Sequence, residues 1–334
     1  MGLDYRPDFS LSADGNDITE AIRRNLLSLT LTDNAGSESD RLDVTVALPD
    51  SIPTPKKGAV LRLGLGFNGD LVDKGQFVVD EVTSSGPPRR VQIVANAAPM
   101  DNRKQSGSLQ TQKTRSWDEV TLGDVVKTVA ADHGLVPKVS SDLDSIKISH
   151  VDQVGESDMN LLTRLAKRYG AISKPANGYW LFLKEGEGKS ASGKALTNIT
   201  VQPHQITTWT ARFSSRNDAR RVVATYQDLE SGDVKEVSTG MGEPEFRIVF
   251  KYPNYEEAKA AVLARAKSVK AGSDTLDISM PACSDLMGLV AEGHIILDGF
   301  GDVEDGKWRT KTVKWSLSEA GMQLSLSGDH MTDG

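Results

Sequence analysis

Residues 39–46, SDRLDVTV, recur as SDTLDISM at residues 273–280. In both copies apolar side chains alternate with polar ones, which is typical of a β-strand with one buried face. A second pair of segments follows in the same order, because GAVLRL at residues 58–63 recurs as GHIILD at residues 293–298. The order of the matches indicates that one β-rich unit occurs twice in the chain.

A third stretch repeats without a gap. Six positions between Gly75 and Ile93 have similar residues 231 positions later. Short alternating strands interrupted by Gly and Pro are typical of a β-sandwich or a β-barrel. We therefore predict an α+β, mainly β chain with two similar antiparallel β-barrel domains, at residues 1–100 and 186–334. The matched pairs are Gly75/Gly306, Phe77/Trp308, Val82/Val313, Val91/Met322, Gln92/Gln323 and Ile93/Leu324.

Duplication within one chain has a geometric consequence. Three copies of a chain that contains two similar β units present six similar units around a ring. Such a ring can join a threefold object to a sixfold one, which enzymes rarely need. The repeat thus allows a ring of six similar units to be built from three copies of the chain.

Helical signals lie between the two β-rich regions. Thr121 is a predicted N-cap with Asp124 three residues later, and Gly134 ends this first helix. Ser157 is the predicted N-cap of a second helix, which ends at Gly170. Because its apolar residues recur at helical spacing, the second helix is expected to bury one face. That face consists of Leu162, Leu165, Ala166 and Tyr169.

These helices predict an inserted α/β module at residues 101–185. Its first part, residues 101–116, is polar and aperiodic, and we interpret it as a linker or long loop. A further helix is predicted at residues 254–271, inserted into the second β domain. Asn254 is its predicted cap, and Glu257 stands where a capping box places an acidic residue.

Residues that could carry catalysis cluster ahead of the second helix, at His150, Asp152, Ser157 and Asp158. Helix signals already account for two of them, since Ser157 caps and Asp158 adds negative charge to the first turn. A catalytic triad also needs an orienting partner and an oxyanion site, and the sequence shows neither. His133 favours a helix C-terminus and is interpreted in the same way. We predict no catalytic residue here.

Composition excludes several classes of function. The 334-residue chain has a formal net charge of -7, which disfavours duplex nucleic acid as the main partner. The single cysteine, Cys283, is expected to be a small buried apolar residue. No apolar run is long enough to span a bilayer. The sequence predicts no cofactor-binding or metal-ligating residue, because no metal-site spacing occurs among His133, His150, His204, His294 and His330.

Two other classes of function remain open. A cell-wall glycan hydrolase would need a pair of carboxylates, and the 46 acidic residues of the chain make such pairs unavoidable. A glycan-binding β module would need an aromatic platform. Trp308 and Trp315 are seven residues apart, so on a continuous strand they would lie on opposite faces. The other tryptophans, interpreted as core or interface anchors, are Trp117, Trp180 and Trp209.

The central module resembles the phage late control protein D family. The segment TRSWDEVTLGDVVKTVAADHGL is followed by ISHVDQVGESDMNLLTRLAKRYGA. Both stretches are similar to the signature of this family, whose members are baseplate hub proteins of contractile phage tails and tailocins. The family is also similar to the base of type VI secretion spike proteins. The resemblance covers about 70 residues closely, and the flanking β regions match in their order.

The resemblance implies a structural protein with no enzymatic activity and no cofactor. It implies a homotrimeric hub with pseudo-sixfold symmetry, which joins the hexameric tail tube to the trimeric central spike. In such a hub, edge strands of the β units would pair around the ring. Tape measure and baseplate wedge proteins are further implied partners, whereas a membrane and sequence-specific nucleic acid are not. The implied location is the baseplate of a virion or tailocin, assembled in the cytoplasm of a bacterial host, with a lumen that passes DNA if the particle is a true phage.

Overall fold

The computed structural model describes residues 6–47, 55–97, 109–176, 178–186, 188, 195–214, 221–271 and 274–330, leaving aside the side chains of residues 269–271. Residues 101–108 of the predicted linker lie outside the described residues. The described fold is mainly β, as the sequence predicts.

Seven strands and one short helix build the first β unit. Leu11, Leu29 and Val44 are enclosed in its core, because every second side chain of a strand points to the same face. The elements are β1 (Pro7–Ala13), β2 (Asn16–Asp17), α1 (Thr19–Arg23), β3 (Leu26–Asn34), β4 (Arg41–Val46), β5 (Val60–Phe67), β6 (Asp70–Ser85) and β7 (Arg90–Ala97).

The central module follows with three helices and five strands. Thr121 and Asp124 form the predicted capping box, and Gly170 ends the second long helix with a left-handed φ of 62°. The elements are β8 (Gln112–Thr121), α2 (Leu122–Asp132), β9 (Val136–Val139), α3 (Ser141–Asp144), β10 (Lys147–Ser157), α4 (Asp158–Tyr169), β11 (Ala171–Ala176) and β12 (Tyr179–Lys184).

The prediction that residues 112–116 belong to a linker is wrong. They lie in β8, which pairs antiparallel with β10 from Gln112 to Thr121. The segment lacks an apolar period because its inward-facing residues, Lys113 and Arg115, bind polar side chains while the residues that alternate with them are exposed. Strands β11, β12 and β9 form a separate sheet, and both sheets share a core with α2 and α4.

The last part of the chain combines a second β unit with a small inserted layer. Its elements are β13 (Asn198–Val201), a 3-10 turn (Pro203–Gln205), β14 (Thr208–Arg212), β15 (Arg221–Gln227), β16 (Val234–Gly240), β17 (Glu245–Tyr252), α5 (Tyr255–Ala271), β18 (Thr275–Pro281), a 3-10 turn (Ser284–Leu286), β19 (His294–Leu297), β20 (Gly306–Ser318) and β21 (Gly321–His330).

Helix α5 is the helix predicted at residues 254–271. The insertion into the second β unit is larger than this helix, because it also contains strands β15, β16 and β17. Strands β15, β16 and β17 form their own sheet, and α5 packs on it. Asn254 caps α5 by accepting a hydrogen bond from the backbone N–H of Glu257 at 2.9 Å. The Glu257 carboxylate accepts from the side-chain amide of Asn254 and lies 3.4 Å from Arg168 of α4, so it also links the two helices.

The two β units have the same order of strands. In the first unit the hydrogen-bonded order is β1–β5–β6–β7–β4–β3, and in the second it is β13–β19–β20–β21–β18–β14. The first strand of each order runs in a different direction, since β1 is antiparallel to β5 whereas β13 is parallel to β19. The sequence repeat therefore corresponds to a repeated topology.

The prediction of two antiparallel β-barrel domains is confirmed only in part. Strand β3 pairs with β20, so the β strands of both units join in one 13-stranded sheet. Closure of either unit into a barrel is not detected among the described strands. Strand β20 connects the two units, because it pairs with β19 along its first part and with β3 along its second part.

Trp308 and Trp315 lie on the same face of β20, contrary to the prediction. Their side chains are 0% and 1% exposed, and both belong to the core shared by the two β units. A β-bulge at Lys311 adds one unpaired residue between Thr310 and Thr312. Since side chains alternate with a period of two, one extra residue inverts the alternation and turns both tryptophans inward.

Candidate assembly interface

The contact between β3 and β20, called here the internal junction, joins the two β units edge to edge. Thr312–Leu317 of β20 pair antiparallel with Leu29–Asn34 of β3. Leu31 lies opposite Trp315, and both side chains are buried. The ammonium group of Lys74 lies 3.7 Å from the centroid of the Trp315 ring, where a cation is attracted by the π face. The junction is therefore a continuation of the core and not a surface contact.

The β-bulge at Lys311 separates the part of β20 that pairs with β19 from the part that pairs with β3. An equivalent bulge occurs in β6 of the first unit. Asp80 is the bulged residue of β6, and Lys311 is the bulged residue of β20, 231 positions later. The hydrogen bonds just before each bulge are also equivalent. Val79 accepts from Gly58 and donates to Ala59, and Thr310 accepts from Glu292 and donates to Gly293, all at 2.8–2.9 Å.

Beyond the bulge, the two strands differ in what they pair with. In β20 the residues after Lys311 pair with β3 on one edge and with β21 on the other. In β6 the residues Glu81–Ser85 pair with β7 on one edge. On the opposite edge, no strand among the described residues pairs with Glu81–Ser85. This segment is therefore an open edge at the position that the internal junction occupies in the second unit.

A second open edge lies on β14, which holds the position of β3 in the second unit. Its only strand partner within the described ranges is β18. Trp209 opposite Ile278 corresponds to Leu29 opposite Val44, because Ile278 and Val44 are matched positions of the repeat. Leu29 is 0% exposed, but Trp209 is 39% exposed and Phe213 is 43% exposed. The inner face of β14 thus carries exposed aromatic side chains, whereas the equivalent position on β3, Leu29, is buried.

The buried polar site of the central module centres on Asp158, the first residue of α4. Its carboxylate is fully buried and receives four side-chain groups at 2.5–2.9 Å. Burial raises the pKa of Asp158, but hydrogen bonds from the partner side chains and the nearby guanidinium charge outweigh burial and hold it below the usual value. The site links β8, β10, α2 and α4. The four groups belong to Lys113, Arg115, His133 and Gln153.

The structure brings His150 and Asp152 of the catalytic candidate set together and keeps Ser157 apart from them. Ser157 caps α4 as predicted, accepting from the backbone N–H of Asn160 at 3.2 Å. His150 is exposed on β10 and lies between Asp118 and Asp152, at 2.5 Å and 3.0 Å. Hydrogen bonds to these carboxylates raise the pKa of His150. The serine, the exposed histidine and the buried Asp158 thus have different partners, which is the geometry of capping and surface ion pairing.

A second polar cluster ties the central module to the first β unit. Lys174 of β11 donates to the Asp40 carboxylate at 2.6 Å and to the Asn34 carbonyl at 2.8 Å. Asp33 lies beside them, and burial, followed by the charge of Asp40, raises its pKa to about 7. The cluster lines a cleft of about 720 Å³ between the module and both β units. Lys74 lines the same cleft, and burial lowers its pKa to about 8.

The remaining predicted positions are scattered. Cys283 is half-buried, more exposed than predicted. His204 is exposed, and His294 is buried with Nδ1 3.2 Å from the Asn198 amide oxygen. Burial lowers the pKa of His294. Among the described residues, no three His, Cys, Asp or Glu side chains are grouped to hold a metal ion. Across the described helices, none combines the length and apolarity needed to cross a membrane.

Comparison with protein families gives a match over most of the chain. A family model described as "Phage tail baseplate hub (GPD)" matches residues 81–321, which is more than half of the sequence. The "Probable baseplate hub protein" of Escherichia phage P2 is 43% identical over 202 residues, which make up 60% of this chain and 51% of that protein. The chain spans about half the length of the curated relatives it matches.

Comparison with solved structures shows the fold. The 43 kDa tail protein of prophage MuSo2 from Shewanella oneidensis superposes with a TM-score of 0.71 at 14% identity, covering 96% of this chain and 98% of that one. The E. coli c3393 protein, a component of the type VI secretion system, gives a TM-score of 0.62 at 11% identity, covering 97% of this chain and 77% of that one.

Proposed function

Because the chain belongs to the phage tail baseplate hub (GPD) family, we propose that it is the baseplate hub of a contractile tail or tailocin. In this proposal it acts as a homotrimeric adaptor with pseudo-sixfold symmetry. Three copies would present six similar β units to the hexameric tail tube, while the threefold axis would match the trimeric central spike.

The observation that carries the proposal is the repeated strand order together with the internal junction. Two β units with the same strand order are joined edge to edge through β3 and β20 within one chain. A ring of similar units needs this kind of contact at every boundary between neighbours. The chain supplies one such boundary covalently, and association of three chains would supply the others.

The proposed division of the chain follows the same logic. We assign residues 1–100 and residues 186–334 to the two tube-facing β domains, with the α/β module at residues 101–185 between them. The tube protein and the spike are the primary partners, and tape measure and baseplate wedge proteins are the outer ones. The role is mechanical, since the Asp158 and Lys174 clusters use their charges to bind the module together and to the β units.

Mass measurement tests this function directly. The full chain is analysed by size-exclusion chromatography with light scattering, alone and after mixing with a candidate trimeric spike protein of the same particle. We expect a mass of three chains in at least one of the two conditions. A chain that stays monomeric in both conditions contradicts the hub proposal. Turnover of purified peptidoglycan by the same sample would instead favour the hydrolase alternative.

A further inference from the structure

Two unpaired edges of the sheet occupy complementary positions in the repeat. The first is Glu81–Ser85 of β6, which corresponds to the residues of β20 in the internal junction. The second is β14, which corresponds to β3, the other strand of that junction. Within the described residues each edge lacks the partner that its counterpart has. Each copy of the chain therefore offers both halves of one more junction.

We propose that Glu81–Ser85 of one copy pairs antiparallel with β14 of a second copy, in the register of the internal junction. The inference rests on the proposed trimer and names its contact surface. Each chain would give one edge and receive the other, so that internal and intermolecular junctions alternate around the ring. Three copies then close the ring with six junctions, and no strand edge of this kind is left open.

The repeat fixes the register of the proposed pairing. In the internal junction Val313 lies opposite Asp33, and Ser316 lies opposite Thr30. We replace each β20 residue by the equivalent residue of β6 and each β3 residue by the equivalent residue of the neighbour's β14. The translated pairs are Glu81 with Ser214, Val82 with Phe213, Thr83 with Arg212, Ser84 with Ala211 and Ser85 with Thr210.

The side chains at these positions suit the pairing. Val82 and Phe213 are apolar and would meet on the inner face, since Val313, the counterpart of Val82, belongs to the core and directly opposite residues share a face of the sheet. Trp209, also on the inner face of β14, would lose its exposed surface to the neighbour. On the outer face Arg212 would lie diagonal to Glu81, within reach of an ion pair. Apolar contact inside and opposite charges outside are the features of a sheet that continues across an interface.

Disulfide cross-linking tests the register at a chosen pair. The backbone N–H of Ala35 donates to the Lys311 carbonyl, so that this pair is hydrogen-bonded and Ser316 with Thr30 is not. Directly opposite residues of a non-hydrogen-bonded pair have Cα atoms about 4.5 Å apart, which a disulfide can bridge. The corresponding intermolecular pair is Ser85 with Thr210. We therefore propose Ser85→Cys with Thr210→Cys in a Cys283→Ala background.

Two matched variants control the experiment. Thr30→Cys with Ser316→Cys places cysteines in the observed junction and should form a disulfide within one chain, at monomer mobility on a non-reducing gel. Ser84→Cys with Thr210→Cys shifts the register by one residue, so the two sulfur atoms would point to opposite faces of the sheet and should not link chains. Far-ultraviolet circular dichroism checks that each variant is folded.

Mixing single-cysteine variants gives a second readout that does not depend on the double variant. Chains carrying only Ser85→Cys are mixed with chains carrying only Thr210→Cys under assembly conditions and then oxidised. We expect a covalent dimer in the mixture that neither variant forms alone, and dimers and trimers for the double variant. If the chain has trimer mass, but these links are absent while the internal control forms, the pairing is wrong and the hub proposal stands. A chain that remains monomeric contradicts both the strand pairing and the hub proposal.

Discussion

Lys174 donates a hydrogen bond to the carboxylate of Asp40 at 2.6 Å and so joins the central module to the first β unit. The lysine side chain is 10% exposed and that of the aspartate 23%. The ammonium group also reaches the Asn34 carbonyl at the end of β3. A single buried cation thus holds two acidic residues and a strand end together where the module meets the sheet.

Replacement of Lys174 is expected to weaken this contact. Lys174→Met keeps much of the side-chain volume but leaves Asp40 and Asp33 without their cation, and breaking a buried ion pair costs roughly 3–5 kcal/mol. Because Asp40 is partly exposed, we expect a smaller loss than for a fully buried pair, about 2–3 kcal/mol in the free energy of unfolding by urea. The matched control is Lys184→Met, whose ion pair with Asp142 is exposed and should contribute less than about 1 kcal/mol. Equal losses for both variants would contradict the role of Lys174.

Asp33 makes stability depend on pH in a defined direction. Its pKa is raised to about 7, mainly by burial, whereas an aspartate in the unfolded chain has a pKa of about 3.9. Between these values the folded state holds a proton that the unfolded state has released, so the contribution of Asp33 to stability falls as the pH rises through this window. Below pH 4 the contribution is complete, and above pH 7 it is lost.

The variant Asp33→Asn isolates this effect, because its amide oxygen can still accept the hydrogen bond that Ala291 donates to Asp33 at 3.0 Å. We expect the difference in unfolding free energy, variant minus wild type, to move in favour of the variant as the pH is raised from 4 to 8. Asp70→Asn, at the exposed first residue of β6, controls for the loss of one negative charge. A difference that stays flat for Asp33→Asn across this range would contradict the raised pKa.

Asp158 should stabilise the central module most strongly near neutral pH. Its pKa lies below the usual value, so its contribution is present above about pH 4 and is lost as the pH falls through the folded-state pKa. Asp158→Ala removes the buried acceptor of four side chains and should cost about 3–5 kcal/mol of unfolding free energy at pH 7. Asp152→Asn, whose side chain is 53% exposed, is the control and should change it by less than about 1 kcal/mol. Similar stabilities of the two variants would argue against the buried network.

Local patterns predicted the parts of the fold that local forces determine. The caps at Thr121 and Ser157 are formed as expected, because a cap joins residues three positions apart. The repeat was visible because each matched strand keeps its own alternation of apolar residues. The positions of these elements along the chain were therefore predictable without the fold.

Contacts between distant segments were not predictable in this way. Arg115 and Lys113 are in a polar stretch without apolar period, and their role appears only when β8 brings them to Asp158, more than 40 residues later in the chain. The bulge at Lys311 is set by the ladder that β20 forms with β21, and no single residue type announces it. Joining of the two units through β3 and β20 likewise depends on both units being folded.

The tryptophans of the second β unit should divide into structural and interface residues. Trp308 is fully buried, so Trp308→Ala should cost about 3–5 kcal/mol of unfolding free energy through the cavity it leaves. Trp209 is 39% exposed in the single chain, so Trp209→Ala should cost much less, about 1 kcal/mol. The proposed pairing covers the Trp209 side chain with a neighbouring copy. We therefore expect Trp209→Ala to weaken trimer formation at least tenfold while the monomer stays folded.

Sedimentation equilibrium over a range of protein concentrations measures this difference. Trp209→Phe is the matched variant, because it keeps an aromatic ring on the inner face of β14 and should retain most of the association that alanine loses. Acrylamide quenching of tryptophan fluorescence gives an independent check, since one of the five tryptophans should become protected on assembly in the wild type. If Trp209→Ala associates as tightly as the wild type, β14 is not covered by a neighbour. The ring would then have to close through another surface of the second β unit.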